Sequence, residues 1–197
     1  MGLVLGAAFL LTGCGPYNRL VASKQAADRS WADVENVYQR RADLIPNLVK
    51  TVEGAANFEK STLTDVIKAR QQVTKLDPSA APTDPAALAN YQKSQDALSG
   101  ALSRLLVTVE RYPDIKANAN FQELQAQLEG TENRIAVERR KFNESVQGYN
   151  TMTQQVPGVL YAKAFGFQSR PYFAAQAGAE KVPDVNFHFG GSPAPTP

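Results

Sequence analysis

The stretch Asp84–Pro113, DPAALANYQKSQDALSGALSRLLVTVERYP, decides the fold. Steps of three and four along it fall on Leu88, Tyr91, Gln95, Leu98, Leu102, Leu105, Val109 and Tyr112. That spacing places one continuous seam on one side of an α-helix, close to a heptad pattern. Asp84 is a capping residue, Pro85 suits the first helical turn, and Tyr112-Pro113 closes the segment. A helix of this length with a single apolar seam needs partners of the same kind.

Working outward, the partners are present. From Tyr17 the same steps give Leu20, Lys24, Ala27, Trp31, Val34, Tyr38, Arg41 and Ile45, a first helix. Pro46 lacks an N–H and clashes with the preceding turn, so the chain kinks or reverses there. Asp43 upstream is a plausible cap, and the reading favours a reversal. A second helix then carries Leu48, Val52, Ala55, Leu63, Val66, Arg70 and Val73 inward and ends near Lys75, before the breaker-rich loop Asp77–Thr83. Asn120 with Glu123 reads as a capping box opening a last helix, with Phe121, Leu124, Leu128, Ile135, Phe142, Tyr149 and Met152 as its stripe. Four stripes of about seven turns each predict an all-α protein, an up-and-down four-helix bundle of long antiparallel helices with an irregular C-terminal arm. A bent rod made of the first two helices is the alternative.

Composition agrees with one globular domain. The chain has 197 residues, 43% hydrophobic, and a formal charge of +2, which implies no nucleic-acid field. Catalytic constellations are absent from the sequence. His188 is the single histidine and stands in a Gly/Pro-rich tail; there is no cysteine pair, no nucleophile elbow and no Gly-rich phosphate loop. The expectation is a non-enzyme with no metal and no cofactor.

Cys14, the single cysteine, ends Leu11-Thr12-Gly13-Cys14 after the apolar run Leu3–Leu11. This is the pattern of a bacterial lipoprotein signal, in which the thiol carries the lipid; the run has the length of a signal h-region and is too short to span a bilayer. No Lys or Arg precedes it. The reading divides the chain into a signal segment 1–13, a helical domain with its packed arm 14–173, and an irregular tail 174–197. Gly15 supplies no retention aspartate, so the expected address is the periplasmic face of the outer membrane in a Gram-negative cell.

Polar residues on or beside the stripes are the other candidates. Arg41, Arg70, Glu132, Arg139 and Asn143 cannot all be solvated if the phase is right, so an internal ion-pair network is expected, with a polar ligand slot as the alternative. Phe165, Phe167, Tyr172 and Phe173 crowd a breaker-rich segment that either packs back on the helices or docks on a partner or the membrane surface.

Several of these residues stand in an order that resembles the LemA family. The run Arg40-Arg41-Ala42-Asp43-Leu44-Ile45-Pro46-Asn47-Leu48-Val49 resembles its hallmark, as does Tyr17-Asn18 with Leu20-Val21. Arg70, Glu110 with Tyr112-Pro113, Phe121 with Leu124, Glu132, Arg139 before Phe142-Asn143, Tyr149-Asn150 and Phe165-Gly166-Phe167 follow in order. The resemblance spans Tyr17 to Phe173. It implies a helical bundle tethered by its N-terminus to a bacterial membrane, with no established catalytic activity; one branch is linked to magnetosome membrane formation. Many relatives look as though they keep a transmembrane helix where this chain has a lipobox. The expected function is a lipid-anchored scaffold or adaptor that binds an envelope protein or itself, with a small-ligand or lipid-binding module as the alternative.

Overall fold

The computed structural model describes residues 2–54, 58–76 and 81–174, with side chains from Gly15 onward. These residues are helical without a strand: α1 (Gly2–Glu53), α2 (Lys60–Lys75), α3 (Pro85–Val109), α4 (Pro113–Lys116), α5 (Ala119–Gln154) and α6 (Gly158–Phe165). The all-α reading holds. His188 and Ala55 lie outside the described residues.

Pro46 does not reverse the chain. α1 runs straight through it to Glu53, so Leu48, Val49 and Val52 belong to the first helix and bury against the same core as Ile45. Proline removes the N–H that would bond the carbonyl four residues back, which here is Ala42. That carbonyl is not left without a donor: Arg70 Nε on α2 reaches it at 2.9 Å. A side chain from a neighbouring helix thus replaces the missing backbone donor. α1 ends at Glu53, and α2 has 16 residues, about four turns and not seven.

The other departures are local. α3 begins as expected, with the Asp84 carboxylate accepting from the Ala86 and Ala87 N–H groups. The α5 cap is Asn118, whose carbonyl oxygen accepts from the Asn120 and Phe121 N–H groups at 2.9 and 3.2 Å, and not Asn120. Near its end α5 buries Tyr149, Asn150 and Thr153 while Met152 is exposed. There the inward step after Tyr149 is four residues, not the expected three, as a 3.6-residue turn requires over a long helix.

Packing divides into two apolar cores. The distal one joins Ile45, Leu48 and Val52 of α1 to Leu63, Val66 and Val73 of α2, Leu98, Leu102 and Leu105 of α3, and Phe121 and Leu128 of α5. The proximal one joins Ala27, Trp31, Val34 and Tyr38 of α1 to Leu88 and Tyr91 of α3, Ile135, Phe142 and Val146 of α5, and Phe173. α2 contributes nothing to the proximal core. Its place is taken by Ala81 and by Phe173 from the arm, whose ring stacks on Trp31 at 5.8 Å and meets Phe142 edge-on at 5.4 Å.

The arm after α5 is more regular than its composition implies. It opens with α6, whose first residue is Gly158, where a Cβ would run into the Met152 carbonyl. Gly166 ends α6 in the left-handed region at φ 72°, a conformation that costs glycine little, and the Phe167 N–H returns to the Ala162 carbonyl at 2.9 Å.

The Ala42 carbonyl gives a double-mutant test. Arg70→Met leaves it without its donor and should cost about 1–2 kcal/mol in urea unfolding. In a Pro46→Ala background the backbone supplies an N–H, and the same substitution should cost less by about 1 kcal/mol. Equal costs in the two backgrounds would remove this role from Arg70.

Candidate functional site

The boundary between the two cores is polar. Arg41 lies there, 1% exposed, projecting from α1 between Tyr38 of the proximal core and Ile45 of the distal one. Its Nη1 donates to Ser99 Oγ at 2.6 Å and to Glu132 Oε2 at 2.8 Å. Its Nη2 donates to the Gln95 side-chain oxygen at 2.6 Å and to the Gln95 backbone carbonyl at 3.2 Å. Three helices therefore converge on one guanidinium. Glu132 is only half-buried, so its carboxylate keeps part of its hydration while the cation loses nearly all of its own. Arginine suits this place because its planar fork offers fixed donors in several directions and is less strongly hydrated than an ammonium.

Two tyrosines flank this layer. Tyr38 and Tyr91 meet edge to face at 5.6 Å, and Arg41 lies 5.3 Å from the Tyr38 ring. Burial pushes the Tyr38 hydroxyl up to about 12, against the opposing pull of Arg139 and Arg41. The Tyr91 hydroxyl is raised too, first by burial and then by Tyr38 beside it.

The five polar residues expected to form one network are split into three groups. Arg41 and Glu132 form the central ion pair, and Arg70 serves the Ala42 carbonyl. Arg139 and Asn143 face the arm. Arg139 Nη2 donates to the Ala174 carbonyl at 3.0 Å, and its guanidinium lies 4.7 Å from the Phe173 ring. The Asn143 amide donates to the Phe173 carbonyl at 3.1 Å and accepts from the Phe173 N–H at 2.9 Å.

Asn150 makes the same pair of hydrogen bonds to the Arg170 backbone, donating to its carbonyl at 2.9 Å and accepting from its N–H at 2.8 Å. The two clamps fit each other metrically. Seven helical residues between Asn143 and Asn150 span about 10.5 Å, and three extended residues between Arg170 and Phe173 span about 10 Å. Tyr149 adds a further hydrogen bond, from its hydroxyl to the Gln168 carbonyl. Arg170, itself 6% exposed, pairs with Asp28 of α1 and so ties the arm to the first helix as well. Gln95, Ser99, Asn150 and Arg170 were not among the candidates. The aromatic-Asn pairs Phe142-Asn143 and Tyr149-Asn150, seven residues apart, are the signal from which the clamps could have been found.

The four candidate aromatics also divide. Phe173 is a core residue, 4% exposed and packed on Trp31, so here the arm packs back on the helices and the ring is not part of an interaction surface. The chain is held there by the Asn143 clamp and cannot turn the ring outward. Phe165 and Tyr172 are exposed, and Phe167 is half-buried against Tyr17 with ring centroids 5.9 Å apart. An open groove of about 730 Å³ runs along α5 beside the arm and is lined by Glu132, Arg139, Asn143, Tyr172 and Phe173 among others. Cys14 lies within the α1 helix; its side chain is outside the described ones.

Comparison with known proteins bears on the same residues. The family model described as "LemA family" matches residues 30–187, which include the Arg41 layer and both clamps. The chain belongs to the LemA family. Among named relatives of this LemA-family chain, "Magnetosome protein MamQ" of Magnetospirillum gryphiswaldense is 28% identical over 187 residues, covering 84% of this chain and 67% of that protein. "Magnetosome protein MamQ 2" of Paramagnetospirillum magneticum is 25% identical with the same coverage. "Protein LemA" of Metamycoplasma hominis is 24% identical over 144 residues, covering 73% of this chain and 62% of that protein. Among the described residues no helix is long and apolar enough to cross a membrane.

Two measurements check the central layer. Glu132→Gln should lower unfolding free energy by about 1–2 kcal/mol, less than loss of a fully buried partner because the carboxylate is half-solvated. Arg41→Lys keeps the charge but cannot fork to the same acceptors, and should cost about 2 kcal/mol or more. No loss in either variant would exclude a stabilising role for the layer.

The tyrosines set an alkaline limit. Unfolding returns Tyr38 from about 12 to the ordinary 10.0, so the unfolded chain releases its proton first. Stability should be level below pH 10 and fall as pH rises from there towards 12, by up to about 1.4 kcal/mol per pH unit for each tyrosine involved. Tyr38→Phe should flatten that fall in a pH series of thermal melts.

Proposed function

We propose that this chain is a non-enzymatic, lipid-anchored protein of the bacterial envelope, acting as a helical scaffold or adaptor at the membrane. In this reading α1, α2, α3 and α5 form an up-and-down bundle, and Cys14 carries the lipid at the start of α1. The observation that carries it is the disposition of the buried arginines. Arg41, Arg139 and Arg170 each bond to acceptors of the protein itself, which joins helices and arm into a rod rather than presenting reactive groups. Family membership supports membrane association, since two relatives carry the magnetosome in their names. The partner is an envelope protein or a second copy, at the periplasmic face of the outer membrane in a Gram-negative cell.

The second reading, a small-ligand or lipid-binding module, is favoured by the open groove along α5. Against it, Arg139 and Asn143, the polar groups that would grip a ligand there, already hold the arm. Native mass spectrometry separates the two: a co-purifying small molecule would support the groove as its site.

Cys14→Ser should move the protein from the membrane to the soluble fraction of lysed cells. If it stays with the membrane, the apolar run and not the thiol is the anchor. In-cell cross-linking should trap a specific adduct. Recovery of monomer alone, under conditions that trap known envelope pairs, would overturn the scaffold reading.

A further inference from the structure

Four exposed apolar side chains gather at one end of the molecule. Val156 is 81% exposed, Leu160 64%, Phe165 62% and Met152 40%, all within the last turn of α5, the corner after it, and α6. They flank the same turn of α1. Met152, Val156, Pro157 and Gly158 line a small cleft with Pro16, Arg19 and Leu20, and the Phe165 ring lies 4.9 Å from that of Tyr17. A helix rises about 1.5 Å per residue, so Tyr17 stands only about 5 Å beyond Cys14 along α1.

Charge at this end has one sign. No Asp or Glu occurs between Gly15 and Ala27, nor between Ser145 and Ala174, while Arg19 and Lys163 stand exposed there. Tyr17 and Tyr161 add the amphipathic rings that favour a membrane–water boundary. Apolar side chains at a corner, flanked by basic ones and free of acids, match an anionic lipid surface in both hydrophobic and electrostatic terms. A protein partner would have to bind beside the point at which a lipid enters the bilayer.

We propose that this end, formed by Pro16–Leu20, the α5–α6 corner and α6, is seated on the bilayer, with Val156, Leu160 and Phe165 among the headgroups. The inference rests on the anchoring of α1 at a membrane and deepens it from a tether to an oriented contact. A lipid on Cys14 holds the chain at the bilayer but leaves its orientation free, and a second contact of this kind adds to the attachment and fixes its direction. With α1 upright, the Arg41 layer stands about 40 Å from the lipid and Glu53 about 60 Å.

The test supplies the tether chemically. The full chain is coupled through the Cys14 thiol to a maleimide lipid in vesicles of phosphatidylethanolamine and phosphatidylglycerol with brominated acyl chains, which quench indole on contact. One variant carries Leu160→Trp, a second Phe165→Trp as an independent reporter, and a control carries Val107→Trp on α3, where the native side chain is also exposed. Buried Trp31 gives a common background in all three. Quenching of the introduced indole should be roughly twofold or more greater in the two α6 variants than in the control, as insertion at the headgroup boundary requires. Equal quenching in all three, or none in either α6 variant, would overturn the proposal. Because lipidation in the cell is bypassed, failure of the Cys14→Ser fractionation would count against the native anchor alone, and failure here against the seating alone.

Discussion

A single guanidinium holds the register of this molecule. Arg41 lies where α1, α3 and α5 meet, and its acceptors come from both partner helices: Gln95 and Ser99 of α3, and Glu132 of α5. A cation removed from water is costly unless its donors are matched, and here the two terminal nitrogens make four contacts to oxygen atoms at hydrogen-bond distance, while Nε is buried without a partner. The layer separates two apolar cores that would otherwise be one. Along α1 the order is Tyr38, Arg41, Ile45; along α3 it is Tyr91, Gln95, Leu98; along α5 it is Ile135, Glu132, Leu128.

The halves on either side are built differently. Distal to the layer, α2 closes the packing, and Arg70 from α2 serves the carbonyl that Pro46 cannot bond. Proximal to it, α2 is absent and the arm substitutes. Extended backbone has unpaired N–H and C=O groups that must be satisfied when it lies on a core. Asn143 and Asn150 do this with one amide each, and Phe173 is the apolar residue that the arrangement delivers to Trp31. The arm is therefore a structural wall of the proximal core.

What was legible in the sequence follows from which forces are periodic. Burial repeats with the helical turn, so the stripes on α1 and α3 and most of α5 could be read, and so could the Asp84 cap. The effect of Pro46 is not legible locally, because it depends on whether another group takes the orphaned carbonyl, and Arg70 lies 24 residues away in the chain. The burial of Arg41 beside Glu132 was legible as two polar residues on facing stripes. Gln95 and Ser99 were not named as their partners, since a neutral side chain on a seam carries no signal of what it accepts. Asn143 reads as an internal polar residue, but its partner is backbone, and backbone has no letter in a sequence.

The polar layer also explains why the long helices have one alignment. Leu, Ile and Val recur along every stripe, so sliding one helix past another by a heptad, about 10.5 Å, would still bury apolar residues. It would not satisfy Arg41. A slip of α3 that advanced its facing residues by seven would replace Gln95 and Ser99 with Leu102 and Leu106, leaving Glu132 as the one remaining acceptor of the guanidinium. A slip of α5 in one direction would replace Glu132 with Arg139, setting two cations together, and in the other would offer Gln125, which has no charge to give. Each alternative loses a charge-assisted bond and leaves a buried cation short of acceptors, whereas the apolar stripes alone distinguish the alignments weakly. The same reasoning fixes the arm, because the Asn143–Asn150 spacing matches the Arg170–Phe173 spacing only when both clamps close together. Register along the rod is thus set by a few polar contacts, and the apolar seams supply the bulk of the cohesion.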